Sequence, residues 1–97
     1  MPTTRSYYEG MAELLFKVGE VALRAMMGEY ILYYKGKVIG GLYDDRLLLK
    51  PTAAAKELLP NAKLELPYPN AKPMVLVETA DEKLLKELFE KTHKEIG

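Results

Sequence analysis

"LRAMMGEYILYYKGKVIGGLYDDRLLLK", residues 23–50, is the stretch whose reading decides the fold. Tyr30, Leu32 and Tyr34 alternate with Ile31, Tyr33 and Lys35. A period of two, filled by β-branched and aromatic side chains, marks a strand with two distinct faces. Lys35-Gly36 then supplies a tight turn, and Val38 to Tyr43 returns as the second strand of a hairpin. Asp44-Asp45, whose short side chains bond nearby backbone and tolerate turn geometry, makes the next corner. "RLLLK" leaves that corner as another strand, with Leu47 and Leu49 on one face. The stretch therefore reads as an antiparallel meander, preceded by "EVALRAM" as a strand that breaks at Gly28.

Helical periodicity flanks the meander. Tyr7, Met11, Leu14, Leu15 and Val18 predict a helix over residues 5–18, stopped by Gly19, with Ser6 and Glu9 as a capping box. Downstream, Pro51 ends the last strand, Thr52 can cap, and "AAAKELL" predicts a short helix closed by Pro60. "AKLELP" and "MVLVE" read as strands around "YPNAKP", an ordered loop. Thr79 and Glu82 predict a second capping box opening a final helix over residues 81–95, with Leu84, Leu85, Leu88, Phe89 and Ile96 as its apolar stripe. Its other face carries Glu82–Lys86, Glu87–Lys91 and Glu90–Lys94 at i,i+4, the pattern of a solvated face.

The totals exclude several classes. Ninety-seven residues, 48% hydrophobic and 29% charged, suit one domain over residues 1–97 with a modest core. No apolar run approaches the ~18 residues of a membrane span, and the N-terminus lacks the apolar segment of a secretory signal. With no Cys, disulfide and thiol chemistry are out, and the expected location is cytoplasmic. Basic and acidic groups balance at 14 each, with 7 and 6 in residues 1–50 and 7 and 8 in residues 51–97. Phosphate-backbone binding draws on clustered cations, so strong direct nucleic-acid binding is not expected. The available cations, Arg24, Lys35, Lys37, Arg46 and Lys50, are offset by Glu29, Asp44 and Asp45.

Residues able to do chemistry are sparse. His93 is the one histidine and sits among Lys91, Lys94 and Glu95, which reads as solvated surface. One His and no Cys leave a metal site only carboxylates, so no metal or cofactor is expected. Ser6, the one serine, has no partner base nearby and is better used as a cap. No catalytic residue is assigned, and the chain reads as a non-enzyme. "IGGLY" lacks the pattern of a phosphate loop, and glycines inside a strand mark a bulge or the close approach of another element, such as a crossing helix. Met26-Met27 and the tyrosines read first as core and sheet surface, yet Tyr30, Tyr33 and Tyr34 cannot all be hidden in one layer.

"RAMMGEYILYYKGKVIGGLYDDRLLLK" followed by "PYPNAKPM" resembles the TfoX N-terminal domain family. Arg24, Met26-Met27, Gly28, Tyr33, Gly36-Lys37, Arg46, Leu47, Leu49 and Lys50 carry the resemblance, which covers residues 10–95. Met27 and Glu29 depart from it, standing where the family often has Phe and a second Gly. The chain looks like a stand-alone N-terminal domain, without the C-terminal domain of full-length competence regulators. The resemblance implies a secretion-chaperone-like, two-layer fold of order α-β(3)-α-β(2)-α, and a role linked to competence or transcription regulation.

These readings converge on an α+β domain whose first and last helices pack on one face of an antiparallel sheet of about five strands. The expected function is a regulatory or protein-interaction module that binds a protein partner or a second copy, using the sheet face or an edge strand. Arg24, Tyr30, Tyr33, Tyr34, Arg46, Lys50, Tyr68 and Lys72 are the candidate contact residues. The alternative is a small anionic ligand held near Arg24, Arg46, Lys50, Tyr68 and Lys72, where cations and phenols could receive it.

Overall fold

The structure, a computed structural model, describes residues 2–96. Its elements in chain order are α1 (Arg5–Val18), β1 (Val21–Met26), β2 (Glu29–Tyr34), β3 (Lys37–Leu42), β4 (Leu47–Leu49), α2 (Ala53–Leu58), β5 (Leu64–Glu65), β6 (Met74–Val77) and α3 (Glu82–Ile96). The strands form one antiparallel sheet in the order β1-β2-β3-β4-β6-β5. The α+β class is as expected, with one strand more than expected. Asp44 and Asp45, both at positive φ, make the expected corner between β3 and β4, and four strands precede α2 where the resemblance implies three.

Two tight turns build the β1–β2–β3 meander. Lys35-Gly36 has φ of 48° and 84°, and Met27-Gly28 has φ of 51° and 85°. Paired left-handed residues give the turn whose twist matches that of the flanking strands. Between β2 and β3 the register slips at Leu32/Tyr33, where Leu32 faces Gly40 but Tyr33 faces Val38. Ile39 is thus left over as a bulge, and its side chain is fully buried on the helix side.

All the helices contribute to one core on one sheet face. Leu15 and Val18 of α1, Ala55 of α2, and Leu85, Leu88 and Phe89 of α3 meet Leu32, Tyr34, Ile39, Leu42, Leu47, Leu49, Val75 and Val77. Of the expected apolar stripe of α3, Leu85, Leu88 and Phe89 enter the core and Ile96 packs against it, while Leu84 is only half-buried. Leu48 is also fully buried, although it points the other way, in register with Gly41 and Leu76. Something must therefore cover the outer face there. It is covered by Tyr43, whose ring lies over Gly41, and by the Leu66–Pro73 segment that joins β5 to β6.

The helix starts differ from expectation. Thr4, rather than Ser6, caps α1 by accepting from the Tyr7 N–H, and Asp45 in turn accepts from the Thr4 N–H at 2.8 Å. At α3, Asp81 accepts from the N–H groups of Lys83 and Leu84, while Thr79 Oγ1 accepts from the Asp81 N–H. Thr52 caps α2 as expected, accepting from the Ala55 N–H at 3.2 Å. The other open N–H groups of α2, on Ala53 and Ala54, donate to the Glu95 carboxylate at 2.7 and 3.0 Å. Beside them the hydroxyls of Thr52 and Thr92 are buried 3.4 Å apart.

Candidate functional site

The outer sheet face carries a groove. Strand parity places Val38, Lys50 and Met74 on that face, and the Leu66–Pro73 segment folds across it with Pro67 buried. The groove between them encloses about 630 Å³ and is walled by Tyr43, Lys50, Pro67, Tyr68, Lys72 and Met74. Arg46 holds the segment down from its base. Its Nη1 donates to Glu65 Oε1 at 2.7 Å, its Nη2 to the Leu66 carbonyl at 3.1 Å and its Nε to the Tyr43 carbonyl at 3.1 Å. Within the segment, the Ala71 N–H bonds the Tyr68 carbonyl, and Asn70 takes φ of 70°.

The structure thus brings together three of the expected site residues, Lys50, Tyr68 and Lys72, and sorts the rest elsewhere. Arg46 is occupied as a strut. Arg24 stands exposed on β1, at the far side of the sheet, on the same face as Ile31 and Tyr33. Tyr30 lies on the helix face and stacks on Tyr8, with centroids 4.1 Å apart. Tyr33 is half-buried on the outer face, paired with Val38. Tyr34 is in the core, 1% exposed, its ring edge-on to Phe89. Tyr43 was not among the expected residues. Its position, closing a strand just before a turn, gives no sign that its ring folds back over the sheet.

A polar cluster on the helix side, at the β2–β3 turn, also departs from expectation. Glu90 turns away from Lys94 to meet the β2–β3 turn, with Tyr34 Oη donating to Oε2 at 2.5 Å and Lys35 Nζ at 2.6 Å from the same atom. Glu87 and Lys91 do pair on the solvated face, at 3.1 Å. His93 is half-buried, edge-on to Tyr34, rather than free on the surface. Lys35, then Tyr34, hold the Glu90 carboxyl below its usual range. Burial, and next the bond to Glu90, push the Tyr34 phenol from its ordinary value of 10.0 up to about 12.

The signs predict a two-sided pH profile. The depressed Glu90 contributes fully above the ordinary glutamate range, and that contribution is lost as pH falls through its folded value. The raised Tyr34 contributes fully below pH 10 and loses its contribution as pH rises toward about 12. Urea midpoints across pH should fall at both ends. Glu90→Gln should flatten the acid limb, and Tyr34→Phe the alkaline one.

The sheet ends in two unlike edges. β5 has two residues, whereas β1 presents six, with β2 as its one neighbour among the described residues. Along it Ala22, Arg24, Ala25 and Met26 are exposed, and Met27 at its tip is 97% exposed. The Met pair is therefore surface rather than core: Met26 shares the outer face with Arg24 by strand parity, and Met27 stands at the tip of the turn. No described helix is long and apolar enough to cross a membrane, and no cluster of metal-ligating side chains occurs among the described residues.

Against known proteins, the pattern of the TfoX N-terminal domain matches residues 13–94. The chain belongs to that family. A relative, the uncharacterized 12.7 kDa protein in the trpE 5' region of Spirochaeta aurantia, is 42% identical over 72 residues. The match covers 74% of this chain and 63% of the relative. In this TfoX N-terminal domain the family-like residues serve several ends, Arg46 and Lys50 standing at the groove. Leu47 and Leu49 build the core and Gly28 and Gly36 the turns, while Arg24, Met26 and Met27 follow the open edge.

Proposed function

We propose that this TfoX N-terminal domain is a non-enzymatic regulatory or protein-interaction module that associates along β1, with a second copy or a partner protein adding a strand. The observation that carries this reading is the six-residue open edge ending in exposed Met26 and Met27. An unpaired strand offers a row of backbone donors and acceptors, and proteins that do not use such an edge blunt it with charge, proline or a cover. Here Arg24 is the only charged residue within β1. Met27 also holds a left-handed backbone that costs most L-residues about 1–2 kcal/mol, a local expense consistent with a side chain kept for contact. Balanced charge removes self-repulsion as a barrier to pairing.

Family membership supports a role in competence or transcription regulation, exercised through protein contacts rather than through DNA. Of the cations on or beside the meander, Lys35 is paired with Glu90 and Arg46 with Glu65, which leaves Arg24, Lys37 and Lys50, too few for a strong phosphate-backbone interface.

Light scattering of the wild type at rising concentration should show association, and Ala25→Lys should shift it to monomer, since a lysine on an edge strand opposes strand addition. Met27→Asn should separate the two roles of the tip. It should raise folding stability by up to about 1 kcal/mol by relieving the turn, while weakening association. A strict monomer at high concentration, with no specific partner recovered by pull-down, would refute the proposal.

A further inference from the structure

The geometry points to the groove under the Leu66–Pro73 segment as a binding site for a small amphiphilic organic anion, an apolar body carrying one carboxylate or phosphate head. Its volume, about 630 Å³, lies within the range of small-molecule sites. The floor and one wall are apolar, made by Val38, Met74 and Pro67. Two cations border it, Lys50 from the end of β4 and Lys72 from the covering segment. Four cations elsewhere are committed to carboxylates: Arg46 to Glu65, Lys35 to Glu90, Lys91 to Glu57 and Glu87, and Arg5 to Glu9. Lys50 and Lys72 belong to none of these pairs, so an anion entering the groove need not displace a carboxylate.

The tyrosines suit the body of such a ligand. Tyr43 and Tyr68 sit with centroids 6.4 Å apart and planes inclined at 57°. Tyr68 is 60% exposed at the mouth, a large apolar surface that a bound hydrocarbon or ring would cover. Burial raises the Tyr43 phenol above its ordinary value, so it stays protonated and can donate to an anionic head. Arg46 fixes the segment to the sheet through Glu65 and Leu66 O, so the walls are in place before a ligand arrives.

The test uses 1-anilinonaphthalene-8-sulfonate as the anionic probe and N-phenyl-1-naphthylamine as its neutral counterpart, on the full chain at protein concentrations below those at which it associates. Saturable binding of the anion in the micromolar range is expected, with the neutral probe about tenfold weaker or more. Lys72→Gln, a change on an exposed loop residue, should weaken the anion by about threefold, and Lys50→Gln with Lys72→Gln by about tenfold. Competition by decanoate or by phenyl phosphate then identifies the head group as carboxylate or phosphate. Amide shifts on saturation should concentrate at Tyr43, Tyr68 and Met74. Equal affinity for both probes, indifference to Lys72→Gln in a folded variant, displacement by neither competitor, or shifts centred elsewhere would overturn the assignment.

Discussion

Gly40→Ala should unfold much of the population at temperatures the wild type tolerates. A Cβ at Gly40 would stand 2.8 Å from Leu49 Cδ2 and 2.9 Å from Leu49 Cα, and nearer still to the Leu48 carbonyl oxygen. Two of these obstacles are backbone of β4, which cannot move without breaking its pairing to β3 on one side and β6 on the other. Overpacking in a tight core costs about 1–3 kcal/mol when side chains can yield, so a backbone clash belongs at or above ~3 kcal/mol. For a domain of this size that corresponds to a fall in Tm of roughly 15 °C. Thermal unfolding followed by circular dichroism would show it, and an unchanged Tm would mean that the β3–β4 register described here is wrong.

Phe89→Ala should cost about 3–5 kcal/mol, the range for removing a fully buried aromatic ring. Phe89 is 0% exposed, where α3 crosses the sheet, and its ring meets Tyr34 edge-on with centroids 5.6 Å apart. Tyr34 in turn orients its hydroxyl toward Glu90, one residue along α3 from Phe89. Loss of the ring should loosen that bond as well, so the effects of Phe89→Ala and Tyr34→Phe should not add. A double-mutant cycle in urea measures the coupling, and strict additivity would show that the two rings act separately.

Both residues show what could be read from the chain alone. The stripe of α3, with Phe89 in it, follows from its 3.6-residue period, and the β2–β3 hairpin follows from alternation and the Lys35-Gly36 turn. Gly40-Gly41 was legible as a place of close approach. What approaches is the neighbouring strand β4, the backbone carbonyl of Tyr30 and the ring of Tyr43, rather than a helix. Partners far apart in sequence were not legible. Thr4 caps with help from Asp45, Glu90 chooses Lys35 over Lys94, and Arg46 is committed to Glu65 and Leu66, because tertiary proximity overrides local spacing. Of the expected contact residues, the structure lines one groove with Lys50, Tyr68 and Lys72, a juxtaposition that residue type suggested and spacing did not. Residue type could not exclude Tyr34, since alternation gives two faces without saying which one the helices take.

The clamp of Glu95 on the start of α2 bears on the order of events during folding. Six residues are too few to hold a helix by themselves in water, because nucleation is costly and few bonds repay it. The carboxylate that completes this one lies 42 residues beyond Ala53, on the last turn of α3. α2 can therefore persist only after α3 has docked, and it should form late, after the meander, whose contacts are local. In the native state its amides become reporters of the other helix. Their hydrogen exchange should track undocking of the α3 C-terminus rather than local fraying of α2, making this short segment a gauge of whether the two ends of the second half of the chain are still joined.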